Sequence, residues 1–348
     1  MAHPVLPSRD DLVRLNSVEG AHRVGLRAAL SVLVPLLAVV ALGRPELAPY
    51  ASFGAFTSLY GRNLRHLTRV QMQLSAAATM TLAVCTGVVV GCYPHLVWLH
   101  ILTAGVIAFT GQVLARAHSF HPPGPLFMIF GYGAISSMPH TWQDLPLALL
   151  VCGLSALFSC LVGVAGVLVG PESLGQAWRR TGWLKLQFVH SWQPVWMALG
   201  VLLSGSIAQL AGIGHPYWAM VAALAPLSAP HITSQMTRAI HRSIGTLVGL
   251  VGAGLLLALH LPPVLLVVVI AVLQLLTEMW VGRNYAVAMV FITPLALGMG
   301  QVGGAHPIGP LLFDRGVETL VGSVVGIGVA LAGHELRRRR LLRHAPLG

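Results

Sequence analysis

The sequence predicts an all-α polytopic membrane protein, with about twelve transmembrane helices arranged as two parallel six-helix repeats. Three observations carry that prediction. The 348 residues are 55% hydrophobic and only 9% charged, too little charge to cover the surface of a soluble protein of this size. The apolar runs alternate with arginine clusters in a regular inside–outside order. Stretches of the first half are echoed in the second.

The elements follow in chain order. Residues 1–23 hold no apolar run of signal-peptide length and read as a cytosolic lead-in. Six apolar runs near 24–42, 47–60, 69–92, 96–115, 124–138 and 145–169 form the first membrane repeat, 24–170. Residues 171–191, "PESLGQAWRRTGWLKLQFVHS", are polar and basic, a short cytosolic linker without room for a soluble domain. Six more runs near 192–211, 215–229, 241–260, 263–281, 285–300 and 313–334 form the second repeat, 192–334, and 335–348 is a basic cytosolic tail. With both termini cytosolic, as expected for the cell (inner or plasma) membrane, only Arg44 and Arg315 of the 21 basic residues fall on the outer side. The net charge of +11 then reflects topology, with "ELRRRRLLRH" lying against anionic headgroups, and calls for no nucleic acid. Cys85, Cys92, Cys152 and Cys160 lie in apolar stretches without a CxxC pair and read as small buried side chains, neither disulfide nor metal ligands.

The echo pairs "PELAPYASFGAF" with "GIGHPYWAMVAA", setting Pro49-Tyr50 against Pro216-Tyr217, and "GPLFMIFGYGAISSM" with "YAVAMVFITPLALGM". Spans 47–60 and 215–229 are short. Spans 124–138 and 285–300 are interrupted, by "PPGP", Gly131 and Gly133 in one and by Pro294 and Gly298 in the other. Breaks at matching positions of two repeats mark a translocation path, because irregular backbone at membrane depth must line a cavity or be buried in protein. The plainer alternative is that Pro and Gly only kink packed helices. In "QMTRAIHRSIGTLVGLVGAG", Arg238, Arg242, Gly245, Gly249 and Gly252 fall on one helical stripe, with Thr246 beside it. "RGVETLVG" repeats the device with Arg315, Thr319, Gly322 and Gly326. Small residues four apart let two helix backbones approach closely, so both stripes predict tight packing with polar groups carried inward.

"HPYWAMVAAL", "QMTRAIHRSIGTLVG", "NYAVAMVFITPLAL" and "RGVETLVG", in that order, resemble the fusaric acid resistance protein family, also called FUSC or aromatic acid exporters. The resemblance is specific over 192–334 and rests on hydropathy and the arginine cluster over 24–170. The first half departs at "RVQMQLSAAATM", where Gln73 stands in the place of Thr246 and no glycine matches Gly249. The resemblance implies a multi-pass inner-membrane exporter of small aromatic or weak organic acids. It also implies a membrane fold similar to plant aluminium-activated malate transporters, dimeric anion channels with six spans per subunit. By that analogy the two halves form a pseudo-dimer around a central path, and a homo-oligomer stays open.

Candidate site residues follow from side-chain chemistry. Arg65, Arg69, Arg238 and Arg242 stand at the expected cytosolic mouth, where a planar, permanently charged fork suits a carboxylate; any inside loop, however, should carry arginine. Glu278 and Glu318 are the carboxylates expected at membrane depth and the candidates for proton coupling, Glu278 paired alternatively with Arg283 and Glu318 with Arg315. Tyr217, Trp218, Tyr285 and Phe291 could stack on an aromatic ring, or belong to the interfacial aromatic belt. Thr246 and Thr319 complete the polar stripe. His118 and His121 have no companion ligands, so no metal and no cofactor is expected. No phosphate loop and no HExxH is present, so the expectation is a non-enzyme driven by an ion gradient. The alternatives are a passive organic-anion channel and a non-transporting membrane scaffold.

Overall fold

Apolar runs of this length can satisfy their backbone groups in lipid only as helices, and among the described residues every regular element is helical. The computed structural model describes residues 6–64, 66–169, 191–304 and 306–343. The helices are α1 (Arg9–Val13), α2 (Ala21–Ala41), α3 (Ala48–Ala55), α4 (His66–Gly91), α5 (Val97–Ala117), α6 (Leu126–Ser136) and α7 (Asp144–Val169). They continue as α8 (Gln193–Leu210), α9 (Pro216–Leu227), α10 (Ile232–Ala258), α11 (Pro263–Trp280), α12 (Tyr285–Gly303) and α13 (Ile308–Arg343). Short 3-10 turns at Pro45–Leu47 and Phe56–Leu59 flank α3. Ile244, Leu247, Val248, Val251 and Leu255 project outward from α10, and Leu149, Leu150, Leu154, Leu157 and Leu161 from α7. Apolar faces of this extent need lipid as their solvent.

Among the described residues, nine of these helices are long and apolar enough to cross a membrane, against the twelve spans expected. The three other expected spans are helices that fall short: α3 has 8 residues, α6 has 11 and α9 has 12. At 1.5 Å per residue even α9 reaches only ~18 Å of a ~30 Å hydrocarbon layer. All residues of α3 but Pro49 are buried, as are residues 218–227 of α9. The interruptions differ from expectation as well. Gly131 and Gly133 lie inside α6, and α12 runs unbroken through Pro294.

The helices pack in matching pairs. In the first six, α4 packs on α6 and α7, α3 on α7, α5 on α6, and α2 on α3. In the last six, α10 packs on α12 and α13, α9 on α13, α11 on α12, and α8 on α9. Across the two sets, α2 packs on α11 and α5 on α8, while α3 meets α12 and α6 meets α9.

Glycine sets the closest approaches. A Cβ on Gly249 would stand 2.8 Å from Thr293 Cβ and 3.0 Å from the Val290 carbonyl, and one on Gly326 would stand 2.7 Å from the Ala223 carbonyl. Gly245 lies against Ala286 and Met289, and Gly322 against Ala219 and Ala222. The stripe ends there: Gly252 is exposed, with no neighbour within 4 Å of its Cβ position. Cys152 and Cys160 are buried, whereas Cys85 and Cys92 are only half-buried.

Candidate functional site

The glycine contact between α10 and α12 places Arg242 beside the first residue of α12. Arg242 Nη1 donates to Tyr285 Oη at 3.1 Å. The start of α12 is itself fixed, because Asn284 Oδ1 accepts from the Ala286 and Val287 amides. One turn earlier on α10, Arg238 holds its Cζ 5.5 Å from the Tyr285 ring centroid. Both arginines line a cavity of about 520 Å³ bounded by α6, α9, α10, α11, α12, α13 and the chain following α3. Arg315 of α13 lines the same cavity, 2% exposed, with its Cζ 5.2 Å from the Trp218 ring centroid. From α11, Gln274, Thr277 and Glu278 face it at positions i, i+3 and i+4. Glu278 Oε2 accepts from Arg62 Nη2, and the Arg62 carbonyl accepts from Arg27 Nη2 at 3.3 Å. Phe56, Phe127, Phe130, Ile292 and Leu295 complete an apolar wall.

Two further cavities adjoin it. At the arginine-rich end, one of about 550 Å³ shares Arg238, Val281 and Tyr285 with the central cavity. The N-terminal segment borders it. The Leu12 carbonyl lies 2.8 Å from His241 Nε2 and accepts from Asn284 Nδ2 at 3.3 Å, while the Asn16 amide donates to the Arg283 carbonyl at 3.1 Å. Helix α1 is held by a capping box, in which the Ser8 amide and hydroxyl keep the Asp11 carboxyl below its ordinary range. On the other side, a cavity of about 130 Å³ shares Phe56, Phe130 and Ala296 with the central one and reaches His215, Tyr217 and Trp218. The shared wall is an aromatic stack: Phe53 meets Phe130 edge-on at 5.2 Å, and Phe130 stacks on Tyr217 at 6.3 Å.

Of the residues singled out from sequence, Arg238, Arg242, Tyr285 and Glu278 meet in the central cavity, and Tyr217 and Trp218 line the smaller one. Arg69 does not join them. It is buried, and its guanidinium donates to the carbonyls of Gly61 at 3.3 Å, Gly163 at 3.0 Å and Leu64 at 2.7 Å. Arg65 lies outside the described residues. Phe291 is half-buried and Ile292 takes the lining position. Thr246 is buried away from the cavity lining, and Thr319 donates to the Arg315 carbonyl at 2.7 Å. Glu278 pairs with Arg62, not with Arg283. Glu318 makes no ion pair with Arg315; its Oε1 accepts from the His215 amide at 2.8 Å, at the N-terminus of α9 where a carboxylate is favoured. Arg315 is buried rather than placed in an outer loop. Arg62, Arg315, Gln274 and Thr277 are cavity residues that sequence reasoning passed over. The second Arg…Thr-Leu-Val-Gly motif held the signal for Arg315, since it gives that arginine the position of Arg242.

Comparison with known proteins bears on the second half. Residues 202–329 match the model of the fusaric acid resistance protein-like family. The chain is 34% identical over 144 residues to the uncharacterized membrane protein YvaC of Bacillus subtilis, covering 40% of this chain and 23% of that one. It is 31% identical over 137 residues to the uncharacterized protein slr1298 of Synechocystis, covering 39% of this chain and 18% of that one. The match thus spans less than a quarter of either relative's length. No solved structure matches the chain. Over residues 202–329, which contain Arg238, Arg242, Glu278, Tyr285 and Arg315, this polytopic membrane protein resembles the fusaric acid resistance protein family by model as well as by motif.

Proposed function

We propose that this protein is a membrane transporter that exports small aromatic or other weak organic acids, driven by the proton gradient. The observation that carries the reading is the pair of adjoining cavities, central and smaller, lined by the short helices α3, α6 and α9 and the proline-bearing α12, with arginines in the central one and the third cavity joining it at the arginine-rich end. Cavities lined by truncated spans at matching positions are what a translocation path requires. The matching helix pairs support two parallel six-helix repeats around that path, with the arginine-rich ends and both termini cytosolic. The basic tail then rests on anionic headgroups of the cytosolic leaflet.

Glu278 serves as the coupling group in this scheme. A carboxylate that pairs with Arg62 when ionised releases that arginine when protonated, so proton and anion compete for the same cation. The aromatic wall between the central and smaller cavities favours alternating exposure over a continuous pore. Everted membrane vesicles with an imposed pH gradient, acid inside, test the reading. Labelled benzoate should accumulate with the gradient, the protonophore-treated control should not, and Glu278→Gln should transport independently of the gradient. Parent flux that ignores the gradient would favour a channel. No flux beyond empty vesicles would leave the scaffold reading.

A further inference from the structure

Four arginines line the central cavity, and two of them are buried without an ion pair. Arg62 is neutralised by Glu278, and Arg238 stands at the mouth, half-buried over Tyr285. Arg242 is 3% exposed and Arg315 is 2% exposed. Among the described residues neither meets a carboxylate, and the Nε of each is buried without a hydrogen-bond partner. Arg242 has the Tyr285 hydroxyl and Arg315 has the Trp218 ring, both neutral groups. Glu318, one turn from Arg315, acts on it only at a distance: its Oε1 accepts from the His215 amide, its Oε2 is buried without a partner among the described residues, and the two side chains form no ion pair. Buried charge without a counter-charge is costly, and two like charges facing one cavity compound the cost. The α11 side of the cavity is polar as well: Gln274 Oε1 and Thr277 Oγ1 are buried without partners among the described residues.

We infer that Arg242 and Arg315 form a binding site for a small organic dianion, each guanidinium taking one carboxylate, with the ligand's apolar body against Phe56, Phe127 and Phe130. The inference rests on reading the cavity as the binding station of a transport path, and it adds the charge of the ligand. Two permanent, fork-shaped cations are satisfied by two carboxylates better than by one. A cavity of about 520 Å³ holds a ring bearing two such groups.

Terephthalate and benzoate share a ring and differ by one carboxylate, so their affinities isolate the second charge. Calorimetry on the full chain in neutral detergent should show terephthalate binding about tenfold tighter than benzoate, the size of one added charge-assisted pair. Arg315→Gln and Arg315→Met should bring the two ligands to within about twofold, mainly by weakening terephthalate. Arg339→Gln, in the exposed tail, should leave the preference intact. Equal parent affinities for the two ligands would overturn the site, and this comparison needs no variant to fold. A tenfold preference that persists in folded Arg315→Met would overturn it too. Preferential terephthalate binding by a chain that moves no anion across a membrane would uphold the site and overturn the transport reading.

Discussion

Arg69 and Arg242 occupy comparable places in the two arginine clusters and do opposite things. Arg69 spends its guanidinium on three backbone carbonyls, so it ties the chain after α3 to α4 and α7. Arg242 keeps one bond to a hydroxyl and faces a cavity. Arg69→Met would strand three acceptors and should destabilise by about 3 kcal/mol or more, since each buried unmet group costs ~1–3 kcal/mol. Arg242→Met removes an uncompensated charge at the loss of one bond, and its melting temperature in detergent should hold or rise. Equal losses in thermal unfolding would contradict the distinction. The periodicity of the second-half stripe made Arg238 and Arg242 legible, because both lie on one helix face with the glycines. The partner of Glu278 was not legible: Arg62 is 216 residues away, and only the packing of the two halves joins them. The departure at Gln73 did signal that the first half differs, without indicating how.

Helix existence was readable from apolar runs, whereas helix length was not, and the prolines explain part of the gap. Pro294 removes a donor and frees the Val290 carbonyl four residues earlier, which ordinarily kinks or breaks a helix. Here that carbonyl faces Gly249, where the absent side chain lets the α10 backbone close over it, so α12 continues. Pro226 in α9 instead sets its ring against Gly326 of α13, with Cγ 2.8 Å from the Cβ position of that glycine. Sequence gives both the proline and the glycine but not that they meet. Gly249→Ala should therefore destabilise by about 1–3 kcal/mol, as overpacking does. Gly252→Ala, on the open face of the same helix, should stabilise by about 0.5–1 kcal/mol through helix propensity. Chemical-denaturant unfolding of the two variants in mixed micelles decides; a destabilising Gly252→Ala would mean that this face is covered.

At the scale of the molecule, the described residues form nine helices long and apolar enough to cross a membrane and three shorter ones between them, and the central and smaller cavities lie where the short ones meet. The internal echo around Pro49-Tyr50 and Pro216-Tyr217 exposed the repeat because each copy opens a short buried helix. Sidedness has a direct check. With the four cysteines replaced by serine, a membrane-impermeant thiol reagent should label Thr141→Cys from outside intact cells and Asn63→Cys only from the cytosolic face; Asn63→Cys reacting from outside would invert the scheme. The central claim, that the arginines of the middle cavity handle an organic anion, is tested by initial efflux of a radiolabelled aromatic acid from vesicles, normalised to correctly inserted protein. Arg242→Gln should lose most of the transport while folding and inserting as the parent does, and Arg242→Lys should restore only part, since an ammonium lacks the bidentate fork. Arg339→Gln, 67% exposed and paired with Glu335 in the tail, should transport normally. Parent-like efflux by Arg242→Gln would reduce that arginine to a topology marker and contradict the account.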